Sequence, residues 1–151
     1  MSLRLLSVVG LIVLLGTARA DEKELAAAMK KLEGTWAPTE NVLNGEKTPE
    51  EVLKPRRTVV KGDEYENQAD GKMENTGKWK FVAVKDKVLH IDLTATDGPN
   101  KGMSVRGIVE FVGDDGFRLC MPTEPDAGRP TEFASKNGGG LVLRTYKRVK
   151  E

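Results

Sequence analysis

The sequence is poor in the residues that build metal sites and disulfides. It has one cysteine, Cys120, and one histidine, His90, among 151 residues. A single cysteine cannot form an intramolecular disulfide, so stability has to come from a core and a backbone hydrogen-bond network. A single histidine cannot build the usual metal sites, and no Ser-His-Asp set, Cys-His-Asn set or phosphate-binding loop can be assembled. We therefore expect no catalytic residues, no metal, no cofactor and no enzymatic activity.

An excess of charge of one sign is also lacking. The chain has 24 lysines and arginines against 23 aspartates and glutamates, and both signs are interspersed along it. A protein that follows a phosphate backbone needs a basic patch, and none is visible in the sequence. The charge pattern therefore argues against nucleic acid as a partner.

A long apolar run occurs only at the start of the chain. Arg4 precedes an apolar stretch from Leu5 to Leu15, and the small residues Ala18 and Ala20 follow it. This layout is typical of a secretory signal peptide, and the run is too short to cross a bilayer of about 30 Å as a helix. We expect residues 1–20 to be a cleaved signal peptide and residues 21–151 to form one domain. The domain is then periplasmic or extracellular, with no membrane attachment after cleavage.

Three runs of alternating apolar and polar residues occupy the stretch from Val88 to Met121. In the first run Leu89, Ile91 and Leu93 share one face. Because successive side chains of a strand point to opposite faces, this period is typical of strands with one face in the core and the other in water. Turn-rich segments separate the runs, so the stretch is predicted to be a β-meander.

Further strand patterns lie on both sides of the meander. We predict a short helix over Asp21–Leu32, a first strand that opens at Gly34, and a short helix capped by Thr48. Additional strands are predicted at residues 56–61, 64–69, 75–84, 131–135 and 141–149. Eight or nine short strands with regularly spaced turns predict an all-β domain, either a sandwich or a barrel.

A short motif in the first strand adds to this interpretation. Gly34-Thr35-Trp36, after a short helix, resembles the G-x-W signature of the lipocalin-like barrels. The rest of the chain is similar to a family of uncharacterised lipocalin-like domains found mainly in planctomycete bacteria. The similarity rests on residues 32–36, 91–93, 98–99, 102, 107–108, 119–120, 129–133 and 147–148. Val109 departs from the family pattern, which often has tyrosine there.

The resemblance implies an antiparallel up-and-down β-barrel of about eight strands. A short N-terminal helix precedes the barrel, and one short helix follows its first strand. In such barrels the tryptophan of the signature closes the base under an arginine near the chain's end. Arg148 is the position that we match to this arginine, with Arg144 as the second choice, so Gly34, Trp36 and Arg148 form the structural signature. The family has no established activity, and the resemblance therefore bears on fold and export.

Polar residues that could carry chemistry also have structural interpretations. His90 lies on a polar face, as surface histidines do. Cys120 has no base in its strand and suits a small buried residue better than a reactive thiol. Arg129 can bind an anion bidentately, or it can bond loop carbonyls and stitch the mouth of the barrel. The acidic turns at Asp97 and at residues 114–115 lack the ligand spacing of a calcium loop.

The apolar face of the meander indicates what fills the barrel. We expect an interior made of Leu89, Ile91, Leu93, Val105, Val109, Phe111, Phe117, Leu119 and Met121, with Trp79, Phe81 and some of Leu141 and Leu143. Cores are packed closely, so these side chains should fill the base and leave at most a shallow apolar pocket at one end.

Two function classes remain open for a barrel of this kind. In the first, the pocket binds a small apolar or amphipathic molecule with an acidic head, and Arg129, Arg106 and Arg118 line its rim. In the second, the barrel is filled by its own side chains and serves as a structural or protein-interaction domain. The sequence names no protein partner for it.

The leader makes the first testable prediction. N-terminal sequencing of exported protein should begin at Asp21, because Ala18 and Ala20 occupy the positions that a signal peptidase reads. Exported protein that still begins at Met1 would contradict it.

Overall fold

The alternating runs form one antiparallel sheet that closes on itself. A computed structural model of the chain describes residues 15–151, with side chains from residue 21 onward. The predicted leader therefore lies largely outside the described residues. The strands are β1 (Gly34–Leu43), β2 (Glu46–Lys47), β3 (Arg56–Lys61), β4 (Glu64–Ala69), β5 (Lys72–Lys85), β6 (Val88–Ala95), β7 (Ser104–Phe111), β8 (Gly116–Pro122) and β9 (Leu141–Arg148).

Strand pairing follows chain order around the sheet. From β3 to β9 each strand pairs with the next, β1 pairs with β3, and β9 returns to pair with β1. Eight strands thus form a closed barrel, and the two-residue β2 extends β1 as a short hairpin. The prediction of an all-β antiparallel barrel of about eight strands is confirmed. A sandwich is excluded because closure joins the first and last strands of a single sheet.

Within residues 15–151 two helices accompany the barrel, α1 (Leu15–Leu32) and α2 (Glu50–Leu53). The helix predicted over Asp21–Leu32 is present, and in the described residues it also includes Leu15 to Ala20 of the predicted leader. The predicted cap of α2 is wrong. The hydroxyl of Thr48 instead accepts a hydrogen bond from Asn41 Nδ2 at 2.7 Å. Within residues 15–151 no helix is both long and apolar enough to cross a membrane.

Two predictions about the C-terminal part of the chain are corrected. Residues 131–135 form no strand and belong to a loop that spans residues 123–140. The physical reason is closure, since β8 and β9 are paired with each other and leave no free edge for another strand. In β9 the inward residues are Val142, Arg144 and Tyr146, so Leu141 and Leu143 face outward.

Aromatic side chains fill the half of the barrel that is nearest to α1. The Trp36 ring meets Phe117 edge-on at 4.7 Å, and Phe117 stacks on Tyr146 at 4.6 Å. Leu32 of α1 is fully buried against them. The buried apolar core consists of Ala28, Leu32, Trp36, Val60, Trp79, Leu89, Ile91, Leu93, Val109, Phe117, Leu119 and Tyr146. This half of the barrel is therefore packed and offers no room for a ligand.

Arg148 joins the last strand to the first strand and to α1. Its guanidinium lies over the Trp36 ring, 4.2 Å from the centroid, and donates to the carbonyl oxygens of Glu33 at 2.7 Å and Lys31 at 2.6 Å. The indole N–H of Trp36 donates to the Leu32 carbonyl at 2.8 Å. These donors satisfy carbonyls that the end of a helix leaves free, so α1 is attached to the barrel base.

Gly34 makes room for this arrangement. Its φ is +124°, and a β-carbon there would lie 2.7 Å from Nη1 of Arg148. A side chain at this position would therefore collide with the guanidinium and strain the backbone. The glycine of the G-x-W motif is required by both effects.

The second prediction concerns the stability of this base. Trp36→Ala should lower the free energy of unfolding by about 3–5 kcal/mol, because it leaves a cavity in the packed half of the barrel. Chemical denaturation measures the change. Val82→Ala is the control, since Val82 is 47% exposed and should change stability by about 0.5 kcal/mol or less. Equal midpoints for the two variants would show that Trp36 is not part of the core.

Candidate ligand-binding site

A cavity occupies the half of the barrel that is farther from α1. Its volume is about 330 Å³, and it opens between the ends of the strands. Trp79 and Leu119 line it from the packed half, and Leu43 and Met103 are exposed apolar residues near its mouth. The barrel is thus partly filled, as the sequence predicts. The cavity is not wholly apolar, however, because one of its walls is polar.

The apolar wall comes from the meander. Leu93 of β6, Val105 of β7 and Met121 of β8 point inward and line the cavity. Leu93 and Val105 lie opposite each other in the β6–β7 pair. The period-two pattern in the sequence therefore predicted this wall correctly.

The polar wall comes from the strands on the other side of the barrel. It consists of Asn41 of β1, Thr58 of β3, Asn67 of β4, Asn75 of β5 and Arg144 of β9. The same five residues line a second recess of about 190 Å³ that extends toward α2. The polar wall is thus shared by the two spaces.

Hydrogen bonds hold the polar wall in a defined arrangement. Arg144 Nε donates to Asn41 Oδ1 at 3.1 Å. On the neighbouring strands Thr58 Oγ1 donates to Asn67 Oδ1 at 2.7 Å, and Asn67 Nδ2 donates to Asn75 Oδ1 at 2.8 Å. The side chains are therefore ordered before any ligand arrives, which lowers the entropic cost of binding.

Arg144 is the cation of the main cavity. Among residues 21–151 no carboxylate lies within ion-pair distance of it. Burial raises the pKa of the nearby Tyr65 hydroxyl, while the positive charge of Arg144 acts in the opposite direction. Asp97 is the acidic residue among the cavity-lining side chains, and it is exposed in the loop after β6. The inner part of the cavity is therefore electropositive.

Gly77 allows Tyr65 to line the cavity next to Trp79. Tyr65 and Gly77 face each other in the β4–β5 pair, and a β-carbon on Gly77 would overlap the Tyr65 ring. With glycine there, the ring lies across the backbone and meets Trp79 edge-on at 5.5 Å. The indole N–H of Trp79 is buried and has no hydrogen-bond acceptor among the described residues.

The three arginines predicted at the rim lie on the outer face of the barrel, and none of them lines the cavity. Arg129 donates to the carbonyls of Ile91 and Gly107 at 2.6 and 2.7 Å and to the Asp92 carboxylate at 2.7 Å. Arg118 pairs with Glu110. Arg106 is exposed. Arg129 thus has a structural role, as in the second interpretation given for it from the sequence. It bonds strand carbonyls on the outer wall, however, and not loop carbonyls at the mouth of the barrel.

Arg129 anchors a loop that covers part of the outer wall. Beneath the loop of residues 123–140 lies an outward row of apolar side chains that continues across four strands. The row consists of Val42, Leu143, Cys120 and Ile108 in register. Cys120 is fully buried, and its thiol donates to the Ala134 carbonyl at 3.6 Å. The expectation of a fully wet outer face is wrong here, because the loop supplies a second apolar layer.

His90 and Cys120 lie in this outer region, outside the cavity. Burial lowers the pKa of His90, and the positive charges of Arg129 and Lys85 lower it further, which favours the neutral form of the ring. Burial raises the pKa of the Cys120 thiol, which disfavours the nucleophilic thiolate. Within the described part of the chain, no three histidine, cysteine, aspartate or glutamate side chains lie close enough to hold a metal ion.

Strand alternation in the sequence indicates that Arg144 points inward, although its charge suggests a surface position. Side chains on one face of a strand recur every second residue, so an inward Arg148 brings Tyr146, Arg144 and Val142 inward as well. Choosing Leu141 and Leu143 by hydrophobicity assigned the opposite face. The asparagines gave no such signal, because inward asparagines in β1, β4 and β5 look like surface residues in the sequence.

Fold and site together define a closed antiparallel β-barrel with one packed half and one half that holds a partly polar cavity. Comparisons of the chain with protein-family models, with curated proteins and with solved structures find no match. The function is therefore argued from the cavity itself.

The third prediction tests whether Arg129 anchors the loop. Arg129→Met removes charge-assisted hydrogen bonds of about 1.5–3 kcal/mol each, so the loop should open more often. Labelling of native Cys120 by a thiol reagent should accelerate about tenfold or more, since 1.4 kcal/mol corresponds to a factor of ten. The control is Arg106→Met, on the exposed outer face, which should label like the wild type. Equal rates for the two variants would show that Arg129 does not hold the loop.

Proposed function

We propose that the protein is an exported, non-enzymatic binding protein that holds a small amphipathic molecule in the barrel. The observation that carries this proposal is the cavity of about 330 Å³ in which an apolar wall faces a polar wall containing Arg144. Small-molecule sites in proteins are concave spaces of about 300–1,000 Å³ with apolar linings and a few placed polar groups. The cavity is at the lower end of that range.

The division of the barrel into two halves supports binding over a purely structural role. The aromatic core around Trp36 and Phe117 provides the stability of the fold in the half next to α1. Filling the other half with apolar side chains would add further burial, since buried apolar surface stabilises by about 25 cal/mol per Å². That half contains a partly buried arginine and three asparagines instead. Polar groups at such positions cost stability, and binding a ligand gives them a use.

Export and membership of the lipocalin-like family belong to the same proposal. The leader pattern at residues 1–20 supports secretion, and the lone cysteine means that the fold needs no disulfide after export. The barrel topology and the contact between Trp36 and Arg148 support the relation to the lipocalin-like domains.

The fourth prediction tests occupancy of the cavity. The neutral fluorescent probe N-phenyl-1-naphthylamine should bind saturably to the wild type. Val105→Phe places a larger side chain into the cavity and should weaken this binding about tenfold or more, equivalent to about 1.4 kcal/mol. Val82→Phe adds the same ring on the exposed outer face and should bind like the wild type.

A further variant and two further measurements keep this test decisive. Chemical denaturation checks that both variants are folded, and Met103→Trp narrows the mouth at a position that is 37% exposed and so tolerates size. Native mass spectrometry of protein purified from its host should show added mass from a retained ligand. Non-saturable probe binding in the wild type, with no retained mass, would overturn the proposal and favour a structural or interaction domain.

A further inference from the structure

The arrangement of the polar wall narrows the class of ligand. We propose that the cavity binds a compact, flat monocarboxylate, with its carboxylate on the guanidinium of Arg144 and one apolar face on the wall of Leu93, Val105 and Met121. This inference rests on the proposed function and deepens it. It follows from the hydrogen-bond directions, the charge and the shape of the cavity.

The hydrogen bond of Arg144 fixes the direction of its neighbours. A guanidinium carries N–H donors and no acceptor, so Asn41 must present its amide oxygen to Nε. The amide nitrogen of Asn41 then points the other way and donates to Thr48 Oγ1 at 2.7 Å. Asn41 is therefore occupied at both ends. The Nη1 and Nη2 groups of Arg144 make no hydrogen bond with the described residues and remain available to a ligand.

The asparagines of the polar wall likewise leave an N–H donor unused and not an acceptor. In the row of hydrogen bonds that begins at Thr58, the amide oxygens of Asn67 and Asn75 both act as acceptors. The N–H₂ group of Asn75 is the end of this row that makes no hydrogen bond. The unused nitrogen groups of the polar wall, Nη1 and Nη2 of Arg144 and the N–H₂ of Asn75, are thus donors, and they suit a ligand rich in acceptor oxygens.

The charges favour one negative charge on that ligand. Arg144 is the basic residue among those that line the main cavity. The acidic residue Asp97 is exposed at the mouth, where its carboxylate accepts a bond from the Gly98 N–H at 2.8 Å, so water screens it from the interior. One guanidinium matches one carboxylate through two parallel N–H···O bonds.

Arg56 and Arg57 line the second recess and do not line the main cavity. Arg56 forms an ion pair with Glu74 at 3.4 Å. Arg57 donates to the carbonyls of Lys54 and Arg56 at 2.9 and 2.6 Å. Both side chains therefore have protein partners, in contrast to the outer nitrogens of Arg144.

The placement of the cavity walls and the volume favour a compact ligand over a long chain. Its polar and apolar walls face each other across the barrel, whereas a lipid with a head and a tail needs them at opposite ends. The aromatic core closes the cavity beneath Trp79, and the volume is about 330 Å³. A flat molecule with one polar edge contacts both walls at once without entering the packed half.

The experiment compares acids with their neutral amides by isothermal titration calorimetry. The probes are cinnamate with cinnamamide, 2-naphthoate with 2-naphthamide, and palmitate. The proteins are the wild type, Arg144→Met, Arg144→Lys and the matched control Arg106→Met, all checked by chemical denaturation. The indole N–H signal of Trp79, assigned with Trp79→Phe, reports by NMR whether the probe lies in the cavity.

We expect at least one aromatic acid to bind the wild type about tenfold or more tightly than its amide and to shift the Trp79 signal. Arg144→Met should abolish this preference. Arg144→Lys should keep part of it, because lysine supplies the charge without the planar fork. Arg106→Met should behave like the wild type. If Arg144→Met does not fold, the affinities of acid and amide for the wild type and for Arg144→Lys still decide whether the carboxylate is recognised at Arg144.

Several results would overturn the inference while leaving the proposed function intact. These are equal affinities for acid and amide, an acid affinity that does not change in folded Arg144→Met, and tighter binding of palmitate than of both aromatic acids. Binding of N-phenyl-1-naphthylamine without binding of either acid would also contradict it. If neither that neutral probe nor any acid or amide binds saturably, the proposed function fails as well.

Discussion

The contact between Trp36 and Arg148 is the interaction on which the rest of the barrel depends. It lies where the first and last strands pair, so it joins the two ends of the sheet. The same guanidinium donates to the carbonyls of Lys31 in the last turn of α1 and of Glu33 just after it, and so attaches that helix to the base. Gly34 is required because a side chain there would occupy the space of the guanidinium. Closure of the sheet, attachment of α1 and the requirement for Gly34 all depend on this one contact between a guanidinium and a buried tryptophan ring.

Closure at the base also decides the chemistry near the mouth. Because Arg148 faces Trp36, the alternation of β9 brings Tyr146 into the aromatic core and Arg144 into the cavity. One strand thus supplies a structural arginine at one end and an unpaired arginine at the other. The cavity is electropositive since no carboxylate among residues 21–151 pairs with Arg144, and this asymmetry between its walls is the feature that a ligand can use.

Arginines outside the barrel have a different role. Arg129 uses its donors on two strand carbonyls and on Asp92, and the loop that carries it covers the buried row that contains Cys120 and Ile108. The loop therefore acts as a second layer on part of the wall. An arginine in a Gly- and Pro-rich loop looks like an anion-binding residue in the sequence, and tertiary contacts show where its donors go.

The sequence by itself determined the class of fold, most of the strands and the apolar wall, because the period-two pattern is a local property of the chain. It also indicated the pair of Trp36 and Arg148, through the resemblance carried by the G-x-W motif. The burial of Cys120 was expected from the sequence, but only the tertiary structure decided that a loop covers it on the outer wall, which face of β9 points inward, and that residues 131–135 form no strand. These features depend on closure of the sheet and on a loop that crosses it. The hydrogen bond between Arg144 and Asn41 is likewise a product of closure, since Arg144 reaches the wall of asparagines only when β9 pairs with β1.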